Sequence, residues 1–504
     1  FTVLAGMEMF RQSRIDFSAY NENYDIETPD YMYPDASSGV ERATGNKSAY
    51  ALVSFFGKID YNWRDLLLAS FTIRHDGSSR FGSNNRYGTF PAATLGYRLS
   101  ENINKSWLDD LKIRLSWGKT GNQAISNTAR YALYVADYGS DRVTSTAYDL
   151  LLQQSGIFPS GYYASQTANP NLKWETTIQY NAGIDYGFFG NRLTGTFDAY
   201  IKDVKDMLII PAYLGSMGEG GVSWLNGPSL RNWGMEFQVG WRDELACGFG
   251  YKAALNFDFF RNRVTYLPST TTGSYVHTTT ENLVQSRRPF GSIVGYVFDG
   301  LFQSQEEVLA YGQDNARVGG MKYADLNGDG KITADDQTWI FNPVPDLSFG
   351  LNVELSYKNF DFQMFWQGVL GQDVYNNQKF QNDFWSVTDA GSNKGVRVLD
   401  AWLPNVNASS TIPMLTTNNK GDEGRASSYF VENGSYAKLR TLQIGYNLPE
   451  NVLSKLRMSK ARVYVSGQNL LTIKSSSLTC TDPENPNWAY PIPTSLSFGL
   501  QVDF

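Results

Sequence analysis

The sequence predicts an all-β protein, a transmembrane antiparallel β-barrel to which this chain contributes about 14 strands. Three observations predict it: apolar and polar residues alternate over long segments, aromatic residues occupy many of the apolar positions, and the connections alternate between short and long. No run of about 18 consecutive apolar residues occurs, so no membrane-spanning helix is encoded. The mean hydropathy of −0.36 is compatible with a barrel, whose strands face lipid on one side and a wet lumen on the other.

The alternation is clearest in four segments, 111–118, 192–202, 233–242 and 349–357. A soluble sandwich also alternates, but its strands are shorter and its apolar positions carry fewer large aromatic rings. In the second segment, Leu193, Gly195, Phe197, Ala199 and Ile201 form one face, and Arg192, Thr194, Thr196, Asp198, Tyr200 and Lys202 form the other.

We predict 14 strands, each long enough for a tilted bilayer crossing, which takes roughly 9–11 residues. They lie near 2–16, 48–62, 64–76, 86–99, 110–120, 175–187, 192–204, 232–243, 247–262, 347–357, 360–371, 434–447, 460–471 and 494–504.

The connections between these strands differ in length according to the side of the sheet. Outer-membrane barrels have short periplasmic turns and long external loops, and an even number of strands places both chain ends on the periplasmic side. The short turns are 62–65, 188–191, 243–247 and 357–360, and the long loops are about 17–47, 121–174, 205–231, 263–346, 372–433 and 472–493.

The composition excludes several kinds of function. The net charge is −7, and no basic cluster is longer than two residues, so we expect no nucleic-acid partner. Cys247 and Cys480 fall at opposite ends of the predicted barrel, where they cannot form a disulfide. His75 and His277 are the only histidines and leave little material for a histidine-based metal site or catalytic triad.

Residues 325–336 match the calcium-binding loop of an EF-hand. We expect structural Ca²⁺ here, which would hold the long external loop 263–346, with an ion-free turn as the alternative. Position 12 is aspartate instead of glutamate, which predicts weaker binding and stronger competition by Mg²⁺. The candidate ligands are Asp325, Asn327, Asp329, the Lys331 carbonyl, Thr333 and Asp336.

Aromatic residues in the predicted external loops are candidates for binding a ligand, because their rings can stack on sugar faces or peptide side chains. The alternative is packing within the loops or contact with a partner protein. The candidates are Trp224, Trp385, Tyr162, Tyr163 and Tyr375, and further tryptophans in these loops are Trp339, Trp402 and Trp488. On the opposite face of the strands, we expect Lys112, Arg114, Arg192, Glu236 and Arg242 to form a solvated lumen wall.

Several motifs together resemble a known family, the SusC/RagA-like TonB-dependent transporters of Bacteroidota. The motifs keep the order of the family and cover most of the chain. They are LKIRLSWGKTGNQ (111–123), NPNLKWETTIQYNAGIDYGFF (169–189), NRLTGTFDAYIKDVKDML (191–208), DLNGDGKITADDQ (325–337), GSYAKLRTLQIGYNLP (434–449) and ARVYVSGQNLLTI (461–473). The final strand, which alternates and ends on Phe504, also resembles the signal for barrel insertion.

The resemblance implies a 22-stranded barrel in a Gram-negative outer membrane, closed by an N-terminal plug. Residues 1–504 would then be its C-terminal part, with the plug and the first strands absent, in agreement with a chain that opens at Phe1 inside a strand. It further implies import of an oligosaccharide or peptide, energised through TonB. The implied partners are a SusD-like lipoprotein, the lipid bilayer and a second transporter–lipoprotein pair, and no organic cofactor is expected.

We expect no enzymatic activity, because import makes and breaks no bond. Two other functions remain open at this point. A passive outer-membrane channel or an adhesin would share the strands and loops but lack energy coupling. A soluble, calcium-dependent carbohydrate-binding β-sandwich or glycan hydrolase would bury its apolar faces against each other.

Overall fold

The computed structural model describes residues 1–36, 39, 42–103, 105–135, 163–210, 223–268, 275–276, 283–284, 288–384, 393–416, 423–486 and 490–504. Their dominant feature is one antiparallel sheet of 14 strands in chain order, which confirms the predicted fold class. The strands are β1 (Thr2–Tyr20), β2 (Arg42–Trp63), β3 (Leu67–Ser78), β4 (Tyr87–Arg98), β5 (Leu108–Asn122), β6 (Glu175–Phe188), β7 (Leu193–Lys205), β8 (Ser229–Glu244), β9 (Phe249–Tyr266), β10 (Leu347–Tyr357), β11 (Phe360–Leu370), β12 (Tyr436–Asn447), β13 (Lys460–Lys474) and β14 (Ser495–Asp503).

The register of the sheet separates two faces, which we call the apolar face and the polar face. Large side chains on the apolar face stay exposed: the exposed fractions are 51% for Leu115, 48% for Met235 and 51% for Ile444. In the described part of the chain these rows are not buried against a second sheet. The soluble sandwich is therefore wrong, and the exposed rows are typical of strands that face hydrocarbon.

Some strands are longer than the alternation predicts. The first hairpin is paired as far as Tyr20 and Arg42, whereas the sequence predicts its strands to end at residue 16 and to start at residue 48. The added part of β2, residues 42–47, contains only small and polar residues and so carries no apolar period, yet its backbone pairing with β1 continues. Backbone pairing in this hairpin therefore extends past the apolar row of β2.

All long connections leave the same end of the sheet, and the turns at the other end are shorter. Helices α1 (Gln305–Ala310) and α2 (Gln378–Asn382) lie in long connections, and α3 (Glu450–Leu456) lies in the turn between β12 and β13. The sequence analysis predicts none of these three helices. Within the described ranges, none of the helices is long and apolar enough to cross a membrane.

Short two-stranded sheets stiffen the long connections and were also missed from the sequence. They pair Leu133–Val135 with Tyr163–Gln166, Leu208–Ile209 with Leu225–Asn226, Tyr275–Val276 with Leu283–Val284, Ile293–Gly295 with Thr338–Phe341, Phe298–Leu301 with Met321–Tyr323, and Asp373–Tyr375 with Val431–Asn433.

The polar face carries ion pairs that join neighbouring strands. Lys112 Nζ of β5 lies 2.8 Å from Asp185 Oδ2 of β6. Arg114 of β5 bonds to Asp185 and also reaches Asp198 of β7, with 2.9 Å between Nη2 and Oδ2. To do so it crosses β6 at Gly183, which lies opposite both Arg114 and Asp198 in the register. The predicted charged wall is thus partly a set of cross-strand pairs.

A side chain at Gly183 would collide with the Arg114–Asp198 pair. A Cβ there would lie 2.4 Å from Asp198 Oδ1 and 2.8 Å from Arg114 Nη2, closer than real contacts allow. We expect Gly183→Ala to separate the pair and destabilise the protein by about 1–3 kcal/mol. The measurement is the midpoint of thermal unfolding in detergent.

The matched control is Gly240→Ala, because the nearest atom to a Cβ at Gly240 is Thr194 Oγ1 at 3.5 Å, an ordinary contact. Equal unfolding midpoints for the two alanine variants would show that the pair over Gly183 does not contribute to stability.

Candidate ligand chamber

The long connections pack around three buried apolar clusters at one end of the sheet, the smallest of which consists of Val374, Leu478 and Cys480. The clusters fix the loop backbone, so polar groups on the loops hold defined positions. Loop core 1 consists of Tyr296, Leu301, Met321, Tyr323, Ile332, Phe384, Trp402, Tyr429 and Phe430. Loop core 2 consists of Phe81, Phe90, Ile125, Ala129, Leu172 and Trp174.

The predicted ligand-binding aromatics do not share one surface. Trp224 packs against loop core 2, and its carbonyl accepts a hydrogen bond from Asn169 Nδ2 at 2.7 Å. Tyr375 packs against loop core 1. Tyr163 is exposed in the short strand that begins with it. Tyr162 and Trp385 lie outside the described residues.

The other loop tryptophans also differ in their surroundings. Trp402 is 1% exposed, and its Nε1 donates to Gln303 Oε1 at 2.9 Å, so its ring packs inside loop core 1. The Trp339 ring is half-buried, and the Arg288 guanidinium lies over it at 5.3 Å. Trp488 lies outside the described residues.

The calcium-like loop folds through hydrogen bonds between its acidic side chains and its own backbone. Asp325 accepts from the amides of Gly328 and Gly330, at 2.7 and 2.8 Å. Asn327 Oδ1 accepts from the Asp329 amide at 2.9 Å, and Asp329 Oδ1 accepts from the Lys331 amide at 2.8 Å. Each of these three side chains is at least partly exposed and retains oxygen lone pairs.

Asp336, the last acid of this loop, stands where an EF-hand has the acid that binds the ion through both oxygens, but here its oxygens bind backbone amides. Asp336 is fully buried, and its two oxygens accept from the amides of Thr333, Leu326 and Asn327. These amides, led by that of Thr333, hold the pKa of Asp336 below its usual range. In the described part of the chain, no group of three or more His, Cys, Asp or Glu side chains is arranged to hold a metal ion.

A buried charge cluster fixes the connection between β13 and β14 to the wall. Lys438, 2% exposed, places Nζ 2.7 Å from both Asp482 Oδ1 and Glu484 Oε2. Glu484 Oε1 also accepts from Tyr436 Oη at 2.8 Å and from Arg440. Burial raises the pKa of Asp482, but the Lys438 ammonium and backbone amides outweigh it and hold that pKa below its usual range.

A β-bulge in β12 lies beside this cluster. The pairing of β12 with β11 and β13 shifts register around Arg440, between Leu439 and Thr441. Lys438 and Arg440 are two residues apart and therefore share the polar face, where Arg440 also donates to Gln367 Oε1 at 3.0 Å. The extra residue places Thr441 on that face as well and returns Leu442 to the apolar face.

A cavity of about 550 Å³, which we call the loop pocket, lies where three long connections meet the wall. Asp373 and Glu484 line it, together with aromatic rings and prolines. Asp373 Oδ2 accepts from the Asn342 amide at 3.0 Å, and burial followed by the nearby Asp346 charge raises the pKa of Asp373.

A second buried polar network joins α2 to the strand Val431–Asn433. Lys379 Nζ lies 2.8 Å from Glu432 Oε1, and Tyr429 Oη donates to Asp383 Oδ2 at 2.7 Å. Burial lowers the pKa of Lys379 and raises that of Asp383. This network lies below the surface of the packed long connections, which together we call the loop body, and helps to hold them in place.

Sequence reasoning missed the charged residues of the loop pocket and of the cluster beside it. Lys438 and Asp482 are far apart in the chain, and nothing local shows that they meet. One signal was available: in β12 the apolar positions Leu439 and Leu442 are three residues apart, which breaks the period of two and indicates a bulge.

The two free cysteines agree with the predicted topology. Cys247 is exposed in the turn between β8 and β9, and Cys480 is buried in the connection between β13 and β14, at the other end of the sheet.

Comparison with known proteins decides the family. The family model for TonB dependent receptor-like β-barrels matches residues 1–470. The chain belongs to this family. This confirms the resemblance that the sequence motifs show, and it identifies an outer-membrane β-barrel protein of a Gram-negative bacterium.

Relatives of this TonB-dependent receptor are longer than the chain. TonB-dependent receptor P3 of Formosa agariphila is 32% identical over 454 residues, which are 86% of this chain and 42% of that protein. TonB-dependent receptor SusC of Bacteroides thetaiotaomicron is 31% identical over 480 residues, 91% of this chain and 44% of that protein. The chain spans less than half the length of these two relatives.

Solved structures show the same fold. The structure of the RagAB peptide importer in the open-open state aligns with a TM-score of 0.79 at 23% identity, covering 100% of this chain and 52% of that one. In a receptor of this family the apolar face meets lipid, the polar face lines the lumen, and the long connections lie outside the cell.

Removing the ammonium of Lys438 should release the connection between β13 and β14. We expect Lys438→Met to leave Asp482 buried without a counter-charge, which costs about 3–5 kcal/mol. The measurements are the thermal unfolding midpoint of the receptor and hydrogen exchange of residues 475–486.

The control is Lys252→Met, which breaks an exposed pair with Glu354. Such exposed pairs contribute about 1 kcal/mol or less. If the Lys438 variant had the same unfolding midpoint as this control, and hydrogen exchange of residues 475–486 matched that of the wild type, the charge cluster would not be what holds this connection to the sheet.

Proposed function

We propose that the receptor imports a large nutrient, an oligosaccharide or a peptide, across the outer membrane with energy supplied through TonB. The family match over residues 1–470 is the observation that carries this proposal. The names of two similar proteins support it: one is a TonB-dependent receptor SusC, and one solved structure is described as a peptide importer. The lumen wall and the loop body provide a path and a chamber, and we expect no bond to be made or broken.

The rest of the transporter is proposed to lie outside this chain. The chain covers 42–47% of the curated relatives. In the described residues, β1 pairs only with β2 and β14 only with β13, so each presents an unpaired edge. Unpaired backbone groups are not tolerated in lipid. Further strands that close the barrel and a plug that fills it satisfy this requirement.

A SusD-like lipoprotein is the proposed partner on the outside. The loop body carries apolar side chains that a soluble surface would normally bury: the exposed fractions are 82% for Val396, 81% for Leu399 and 80% for Val406. Val396 and Leu399 are three residues apart in one short 3₁₀-helix, so they lie on the same face of it, and exposed apolar surface of this kind marks protein contacts. A lipoprotein cap seated on residues 396–406 would cover them.

The energy requirement separates an importer from a passive channel. Cells that produce the receptor are given fluorescently labelled oligosaccharides or labelled peptides, and accumulation is measured with and without a protonophore. If the receptor is an importer, cells should accumulate either the labelled oligosaccharides or the labelled peptides. Adding the protonophore, or deleting TonB, should reduce this accumulation to the level of cells that lack the receptor. Accumulation that survives both treatments would identify a passive channel.

We also propose that residues 325–336 bind Ca²⁺ in a structural role. Asp325, Asn327 and Asp329 supply side-chain oxygens, and Lys331 and Thr333 are the next positions of the EF-hand pattern. Asp336 accepts three amides, so it positions the loop and has little capacity left to bind the ion. Ion binding therefore needs the exposed part of the loop to tighten.

Calcium should protect the amides of this loop. In the purified full-length receptor, we expect Ca²⁺ to slow hydrogen exchange in 325–336 relative to EGTA, with half-saturation at about 10⁻⁴–10⁻³ M, as for extracellular EF-hand modules. Asp329→Asn should abolish the effect. Asp335→Asn, which changes an exposed acid that is not one of the candidate ligands, should keep it. Identical exchange in Ca²⁺ and EGTA would show that the loop is an ion-free turn.

A further inference from the structure

The loop pocket lies at the end of the sheet from which the long connections leave. Val369, near the outer end of β11, and Tyr436, at the outer end of β12, form its base. Its walls come from the long connections that follow β9, β11 and β13. Its volume of about 550 Å³ falls within the range of small-molecule sites. A ligand group that passes between the loops and the wall can therefore enter it.

Part of the lining of the loop pocket is apolar and rigid. Prolines from two different connections face it, together with a phenylalanine ring and an isoleucine side chain. These residues are Pro343, Pro345, Pro483, Pro486, Phe341 and Ile293. Proline and aromatic side chains lose little conformational freedom on binding, so this wall is preorganised for an aliphatic stem.

The two carboxylates of the pocket are not equivalent. Glu484 already faces the Lys438 ammonium at 2.7 Å and the Arg440 guanidinium, so its charge is neutralised. Asp373 accepts one backbone amide, and its charged neighbour is another acid, Asp346, which is itself paired with Arg261. The described residues that line the pocket include no lysine, arginine or histidine.

We propose that the loop pocket binds a primary ammonium group carried on an aliphatic stem, the lysine side chain of a peptide ligand, with Asp373 as its counter-ion. The proposal rests on the import function proposed above and specifies the class of ligand. The half-buried carboxylate gains a charge-assisted hydrogen bond, and the apolar wall covers the methylene stem. An anionic ligand would be repelled by Asp373.

The apolar wall also favours a lysine side chain over an amino sugar. A sugar ring in this volume would bring hydroxyl groups against prolines and Phe341, where they would lose hydrogen bonds to water without replacement. A lysine stem carries no such groups along its methylene chain.

The experiment compares four probes on the purified full-length receptor by isothermal titration calorimetry. They are an end-blocked pentapeptide Ala-Ala-Lys-Ala-Ala, the same peptide with Nε-acetyl-lysine, a glucosamine trimer and the N-acetylglucosamine trimer. We expect the lysine peptide to bind about tenfold or more tighter than its acetylated form, as one charge-assisted hydrogen bond would give. The two trimers should show no such difference.

Asp373→Asn should remove the preference for the lysine peptide, because the amide keeps the shape and can still accept from the Asn342 amide but carries no charge. Asp400→Asn changes an exposed acid of the same connection outside the pocket, and it should keep the preference. Equal thermal unfolding midpoints show that both variants are folded.

Equal binding of the two peptides, or a preference that survives Asp373→Asn, would overturn the proposal. A preference seen with the trimers in place of the peptides would overturn the choice of lysine and assign the pocket to an amino sugar. All of these outcomes are read from binding in vitro, so they are independent of whether cells lose uptake with a protonophore, which tests the import function.

Discussion

The structure depends on one constraint: inside a bilayer, every backbone N–H and C=O of a crossing strand has to find its hydrogen-bond partner in the protein. Among the described residues the 14 strands pair in chain order, so that β2 to β13 each meet it with a partner on both sides, whereas β1 and β14 have one partner each. Once the pairing is set, alternate side chains meet hydrocarbon or the lumen. Large rings on the apolar face then need no protein partner, and the main apolar clusters form in the loops.

The side chains of the polar face have to fit above strands that are paired this closely. Charged side chains reach across strands, and this needs space over the strand between them. Gly183 gives Arg114 a path to Asp198, and Gly445 plays a similar part beside the Arg462–Asp361 pair, because a Cβ there would lie 2.4 Å from Arg462 Nη2. The wall is therefore stiffened by ion pairs whose positions depend on residues that have no side chain.

The sequence predicts the wall well and the chamber poorly, for a physical reason. A crossing residue meets only two environments, so its neighbours at i±2 show its orientation, and the number and order of strands follow from local pattern. Loop residues meet partners that are distant in the chain. In the sequence, Trp402 cannot be told apart from an exposed ligand-binding tryptophan, yet it is buried. Lys438 contacts Asp482 only once the chain is folded. Asp336 was expected as an ion ligand, and its hydrogen bonds to three amides appear only in three dimensions.

The bulge at Arg440 divides β12 into two independent stretches. Below it, Leu442 and Ile444 lie on the apolar face, and above it, Lys438 faces the chamber. Because side chains alternate, Leu439 and Leu442 would lie on opposite faces of a regular strand, and the extra residue at the bulge keeps both on the apolar face. The same irregularity lets the outer part of the strand acquire new chamber-facing residues while its membrane-embedded part keeps its orientation, so selection can alter specificity without disturbing insertion.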